Sequence, residues 1–259
     1  MIRRPALIAG TAAAVLAALF SAACSSEEEP LTAEQAAAIA QAGLLTQDDL
    51  PSAEWVVTEG AQEDTDGEVD DPTDTDDLFA NTEACQALDE AMTAAGFTDE
   101  GGAFSPLAEA ERSFDFEGGE SLVARSVQAG VLVRPEASDI DEAFEALREV
   151  MSADAVRPCL ESAFTESLGG DESGLTISTI NVTDVEKVTD DGVGIGLDVE
   201  AVALIIPINL HMEIHMWPEG PAAGQLILME LNSETVQDAT PEILEAARTR
   251  LAEAVEANR

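Results

Sequence analysis

Four stretches in the C-terminal third decide the fold: LTISTINVTDVEK (175–187), VGIGLDVEAVA (193–203), IPINLHMEIHMW (206–217) and QLILMEL (225–231). All are rich in aliphatic and β-branched residues and are separated by turn residues, which predicts four strands. The short connections between them favour antiparallel neighbours. In the third stretch Leu210, Met212, Ile214 and Met216 alternate with Asn209, His211, Glu213, His215 and Trp217. A period of two is the signature of a half-buried strand. After the last stretch, Thr240-Pro241 predicts the opening of a final helix, with Ile243, Leu244, Ala247, Leu251, Ala254 and Val255 as its buried stripe.

Upstream, SFDFE (113–117) alternates, Gly118-Gly119 turns and 121–133 runs back, which predicts a β-hairpin with Phe114 and Phe116 on one face. Ser138 and Asp141 predict the start of a helix to about Met151 that buries Ile140, Phe144, Leu147 and Met151. Pro158 suits the first turn of a further helix to Leu168, with Cys159, Leu160, Ala163 and Phe164 inward. Near the front, Thr32 and Gln35 have capping-box spacing, Ala33 to Ala42 favour helix and Gly43 stops it. A short turn over Leu44 to Pro51 and a strand at Trp55-Val56-Val57 follow. Asn81 or Thr82 predicts a helix through Ala95 with Cys85, Leu88 and Met92 on its inner face. Strands grouped between helices imply one α+β domain over residues 31–259, an antiparallel sheet of about five to seven strands packed against helices.

The first two dozen residues carry the address. A basic start with Arg3 and Arg4, an apolar run from Ala6 to Phe20, and Ser21-Ala22-Ala23 before Cys24 are the pattern of a secretory signal over residues 1–23. A cysteine at the cleavage point predicts lipid attachment at Cys24, a polar tether over 24–30, and a domain held at the outer face of the cytoplasmic membrane. Ordinary secretion with the same cut, and an uncleaved anchor, are the alternatives; 15 apolar residues fall short of the ~20 a spanning helix needs. With Cys24 acylated, Cys85 and Cys159 remain, and two cysteines in an exported chain most simply form a disulfide. Two free thiols or a metal pair is the other option.

Cleavage removes two of the 11 basic residues and none of the 53 acids, leaving nine bases, 53 acids and a net charge of −44. Such a chain offers no basic patch to nucleic acid and none to anionic lipid heads. Lys187 is the sole lysine. Residues 59–77 hold ten acids and almost no large apolar side chain, which predicts a mobile acidic loop.

The run Leu44 to Pro51 followed by Trp55, Cys85 in one helix, Cys159 after a Phe-bearing helix, and the late strand–strand–strand–helix ending together resemble a group of actinobacterial envelope lipoproteins. That group is similar to the extracellular sensor domain of mycobacterial serine/threonine kinases, with a Mog1/PsbP-like α+β fold. The resemblance spans most of 31–259. It implies a structural pair at Cys85 and Cys159, no catalytic residues, and binding rather than chemistry.

Three constellations compete with plain structural explanations. His211 and His215 lie four apart, but the zincin order is His-Glu-x-x-His. On a strand they stand ~13 Å apart, too far for one zinc with ~2.0–2.1 Å bonds. His211 with Glu213, or Glu213 with His215, supplies two ligands, one or two short. Asp64 to Asp71 resembles a calcium loop, yet position one would be Gln62 and position twelve Thr73, so two key carboxylates are missing. The apolar run Val199 to Ile208, with Met212, Ile214 and Met216, suits either a sheet core or the lining of a lipid-sized cavity. No nucleophile elbow or glycine-rich phosphate loop is present in the sequence, and nothing in it calls for a cofactor. The expectation is a non-enzymatic, lipid-anchored envelope protein that binds a ligand or an envelope partner as a sensor-like module. A carrier of lipid or another apolar molecule, and cation binding by the acidic loop, are the alternatives.

Overall fold

The computed structural model describes residues 30–52, 54–58, 85–86, 106–116, 123–168, 175–185, 187–203, 205–232 and 235–258. The signal, Cys24, most of the tether, the acidic loop 59–77 and most of the helix expected at 81–95 lie outside the described residues. Helix α1 (Ala33–Ala42) opens with the expected capping box: Gln35 N–H donates to Thr32 Oγ1 at 3.3 Å and Thr32 N–H to Gln35 Oε1 at 3.0 Å. A 3-10 turn (Gln47–Asp49) fills the Leu44–Pro51 segment. Strands β1 (Trp55–Thr58), β2 (Ala108–Phe116) and β3 (Ala124–Val133) follow, then α2 (Ser138–Val150) and α3 (Ala153–Leu168). The four predicted strands are β4 (Leu175–Asp184), β5 (Val193–Ala203), β6 (Ile206–Glu219) and β7 (Ala222–Leu231), and α4 (Thr235–Asn258) closes the chain.

All seven strands form one antiparallel sheet in the order β1-β2-β3-β7-β6-β5-β4. Two meanders, β1–β3 and β4–β7, thus join at the β3–β7 pair, where Ala124 faces Leu231 and Val133 faces Ala222. Alternation on the central strands separates two cores. Ala223 and Ile227 of β7, Met212 and Met216 of β6 and Leu132 of β3 pack under Phe144 and Leu147 of α2 and Val156 of α3. Ala222, Leu226 and Leu228, with Val127 and Val131 of β3, pack under Ile39 of α1 and Ile243, Ala247 and Leu251 of α4. Trp217 lies on the second face over Gly224. A Cβ there would meet the indole at 2.3 Å, so the close approach requires glycine.

Three helix starts differ from the sequence reading. Ala137, not Ser138, is the N-cap of α2, with no side-chain cap. Pro158 sits inside α3, whose first turn is capped by Ser152 Oγ accepting from Ala155 N–H at 3.3 Å. The carbonyl that Pro158 leaves without an intrahelical donor belongs to exposed Asp154. Pro241 likewise sits inside α4, which begins at Thr235. Proline was the strongest visible start signal, and both helices begin upstream of it.

Cys85 and Cys159 are joined in a disulfide with Cα atoms 4.4 Å apart, and together with Ala163 they form a small buried cluster. At the other end of β5, the hairpin to β6 reaches four residues beyond β7, whose last pair is Leu210 with Leu231. Its tip exposes Val202, Ile205 (90 % accessible) and Ile206.

The disulfide closes a loop across 74 positions, for which the chain-entropy model gives a contribution of about 4 kcal/mol. Urea unfolding of the Cys85→Ser/Cys159→Ser chain should therefore show a fall of that order. An unchanged midpoint would show that the bridge contributes nothing to stability.

Candidate functional site

The candidate site lies where helical cover runs out on the α1/α4 face. There β6 presents His211, Glu213 and His215, and the cross-strand register sets Asp198, Gly196 and Gly194 of β5 directly opposite them. Glycine occupies the two positions beside Glu213 and His215, and both are buried. At Gly196 any Cβ would meet a Val185 methyl at 2.7 Å.

Four ionisable side chains form a continuous chain of contacts. His211 Nδ1 is 2.6 Å from Asp198 Oδ1, His211 Nε2 is 3.1 Å from Glu213 Oε1, and His215 Nε2 is 3.0 Å from Glu213 Oε2. Hydrogen bonding to Glu213, against the opposing effect of burial and with further help from Asp198, raises His211 to about 9. Burial pushes Glu213 up, but the hydrogen bonds and charge of His211 and His215 outweigh it and hold the carboxyl at about 2. His211 is therefore an imidazolium between two carboxylates, and both imidazoles donate to Glu213. The same row continues across the sheet: Arg125 of β3 faces Glu230 of β7, which faces His211. Glu230 is 1 % exposed and lies 3.8 Å from Arg125. Signs alternate from strand to strand, the favourable order for cross-strand neighbours.

His215 is 1 % exposed. Its Nε2 is committed to Glu213, and its Nδ1 has no hydrogen-bond partner among the described residues. It borders a cleft of about 380 Å³ between β6, α4 and the segment after β4, which Glu213, Lys187, Glu245 and Arg248 also line. Arg248 is 3.6 Å from Glu245. Lys187 is exposed and makes no ion pair among the described residues.

The two histidines thus stand on a strand, as their alternation predicts, yet they are coupled through the shared Glu213. Asp198, Glu230, Lys187 and Arg248 had no local signal; only the strand register and the fold of α4 over β6 bring them near. Among the described residues, no group of three or more His, Cys, Asp or Glu is placed to hold a metal ion. The calcium-like segment Asp64–Asp71 lies outside the described residues, as does Cys24. Val199, Met212 and Met216 of the apolar run are buried in the core beneath α2 and α3, with Ile214 packed against it, while Val202, Ile205 and Ile206 face solvent.

No family model matches this chain, and no curated protein matches it. Among solved structures it is similar to the crystal structure of PA94, a protein of unknown function from Pseudomonas aeruginosa. The identity is 16 % over 55 % of this chain and 82 % of that one, with a TM-score of 0.25, too low to carry an argument.

The network predicts a two-sided pH profile. His211, raised from 6.5 to about 9, contributes stability that is complete below 6.5 and is lost as pH rises through 9. Glu213, lowered from 4.5 to about 2, contributes stability that is complete above 4.5 and is lost as pH falls through 2. Urea midpoints of the wild type minus those of Glu213→Gln should be largest between pH 4.5 and 6.5 and shrink on both sides. A difference that is flat with pH would contradict the ion network.

Proposed function

We propose that this protein is a non-enzymatic, lipid-anchored module of the cell envelope that binds a small ligand in the cleft under α4. One observation carries the binding part: a cleft of about 380 Å³ whose lining brings Glu213 and His215 of the coupled network together with Lys187, Glu245 and Arg248. The protonation states in the network support binding over catalysis. A general acid or base works best with a pKa near the operating pH, whereas His211 is held at about 9 and Glu213 at about 2. The anchoring part rests on the signal pattern ending at Cys24 and on the Cys85–Cys159 bridge, which suits an oxidising compartment. None of the described helices is long and apolar enough to cross a membrane.

Cells fed radiolabelled palmitate should label the full-length chain and not Cys24→Ala; an unlabelled wild type would remove the anchor. Native mass spectrometry of the gently extracted protein should show a small, non-lipid adduct. A stoichiometric lipid adduct would replace the binding module with the carrier reading.

A further inference from the structure

We propose that the tip of the β5–β6 hairpin is a membrane contact in its own right, an aliphatic finger that enters the headgroup and upper acyl region of a net-neutral lipid surface. The inference goes beyond the anchored-module reading; only the orientation it gives the domain rests on acylation of Cys24.

The ten residues from Ala201 to Leu210 hold no charge and a single polar side chain, Asn209, in a chain with 53 acids. Ile205 is 90 % accessible, and Val202 and Ile206 are exposed with it. The apolar character is not confined to one face. Val202 stands opposite Pro207, and Ala203 opposite Ile206. Alternation along the strands sends the first pair to the α1/α4 side and the second to the α2/α3 side. A groove on a protein partner covers one face of a two-stranded finger, whereas lipid surrounds it.

Backbone chemistry points the same way, because lipid satisfies no N–H or C=O group. Strand β5 is paired on both sides to its last residue: Ala203 faces Leu175 of β4 and Ile206 of β6. On the outer edge of β6, Asn209 N–H donates to Asn232 Oδ1 and Asn209 O accepts from Asn232 N–H, each at 2.8 Å. The next residue with the same outward direction is Pro207, two positions away, and proline has no N–H. An edge closed in this way resists strand addition by another protein. What the projecting hairpin offers is therefore side chains, and they are aliphatic.

Charge restricts the lipid: a net charge of −42 is repelled by anionic headgroups, so the finger meets a zwitterionic surface. The tether sets the orientation. Leu31 N–H donates to Pro135 O at 3.0 Å, just past the end of β3 and beside the β6–β7 turn, since Val133 faces Ala222. The 14 residues of β6 put that end ~45 Å from the tip. Six steps from Cys24 to Pro30 reach at most ~20 Å. A domain acylated at Cys24 whose tip also enters the bilayer thus lies along the surface instead of standing on it.

The full-length protein in phosphatidylcholine vesicles provides the test. Trp55 and Trp217 are each 2 % exposed, so a tryptophan added at the tip reports by difference from the wild type. Emission of Ile205→Trp should shift to the blue, and should be quenched when the acyl chains are brominated near the headgroup. Val57→Trp, at an exposed position on β1 at the opposite edge of the sheet, should show neither effect. Adding Val202→Asp and Ile206→Asp to Ile205→Trp should abolish both effects without moving the thermal midpoint, because the altered side chains are exposed. Equal Ile205→Trp emission in brominated and plain vesicles would overturn the proposal and leave the tip to a protein partner; equal quenching of Val57→Trp would overturn it as well. Palmitate labelling reports on Cys24 separately: an unlabelled chain whose tip is still quenched keeps the finger and removes only the orientation.

Discussion

Neighbouring residues of β7 go into different cores: Leu226 and Leu228 under α1 and α4, Ile227 under α2 and α3. A central strand buried on both faces is the constraint on which the other layers depend. It fixes the register of β3 on one side and β6 on the other, because a slip of one residue would exchange the two faces. It also fixes where cover ends. Helix α4 lies over β7 and reaches only the margin of β6, so the outward residues of β6 are apolar at Trp217, near that cover, and ionisable at His215, Glu213 and His211, beyond it.

At that boundary the polar residues are organised rather than merely solvated. Glu213 accepts from both histidines, and His211 is shared with Asp198 on the next strand. Partly buried charges of this kind are costly unless each has a partner, and here Arg125 meets Glu230 while His211 is held by both Asp198 and Glu213. The consequence is a firm floor, within which the buried Nδ1 of His215 has no hydrogen-bond partner among the described residues.

Much of the architecture was legible in the sequence, for identifiable reasons. The strands from 175 to 231 alternate strongly, and their boundaries differ from the reading by only a few residues. The capping box at Thr32 and the pairing of Cys85 with Cys159 were equally readable. The early part of β2 was not, because its inward residues Ala108 and Ala110 are too small to announce a face. Helix starts at Pro158 and Pro241 misled because proline marks a tolerated position as readily as a first one. The site was only half visible. His211, Glu213 and His215 lie together in the chain, but Asp198, Lys187 and Arg248 arrive through strand register and helix docking, which leave no local trace.

The β3–β7 joint has a further consequence, for the order in which the molecule acquires its shape. Ala124 finds its neighbour at Leu231, so the middle of the sheet assembles only after nearly all of the polypeptide is free to collapse. Contacts this distant along the chain slow folding. Neither meander alone has the partner strand that would complete both cores, so closure waits on the topology of the whole sheet.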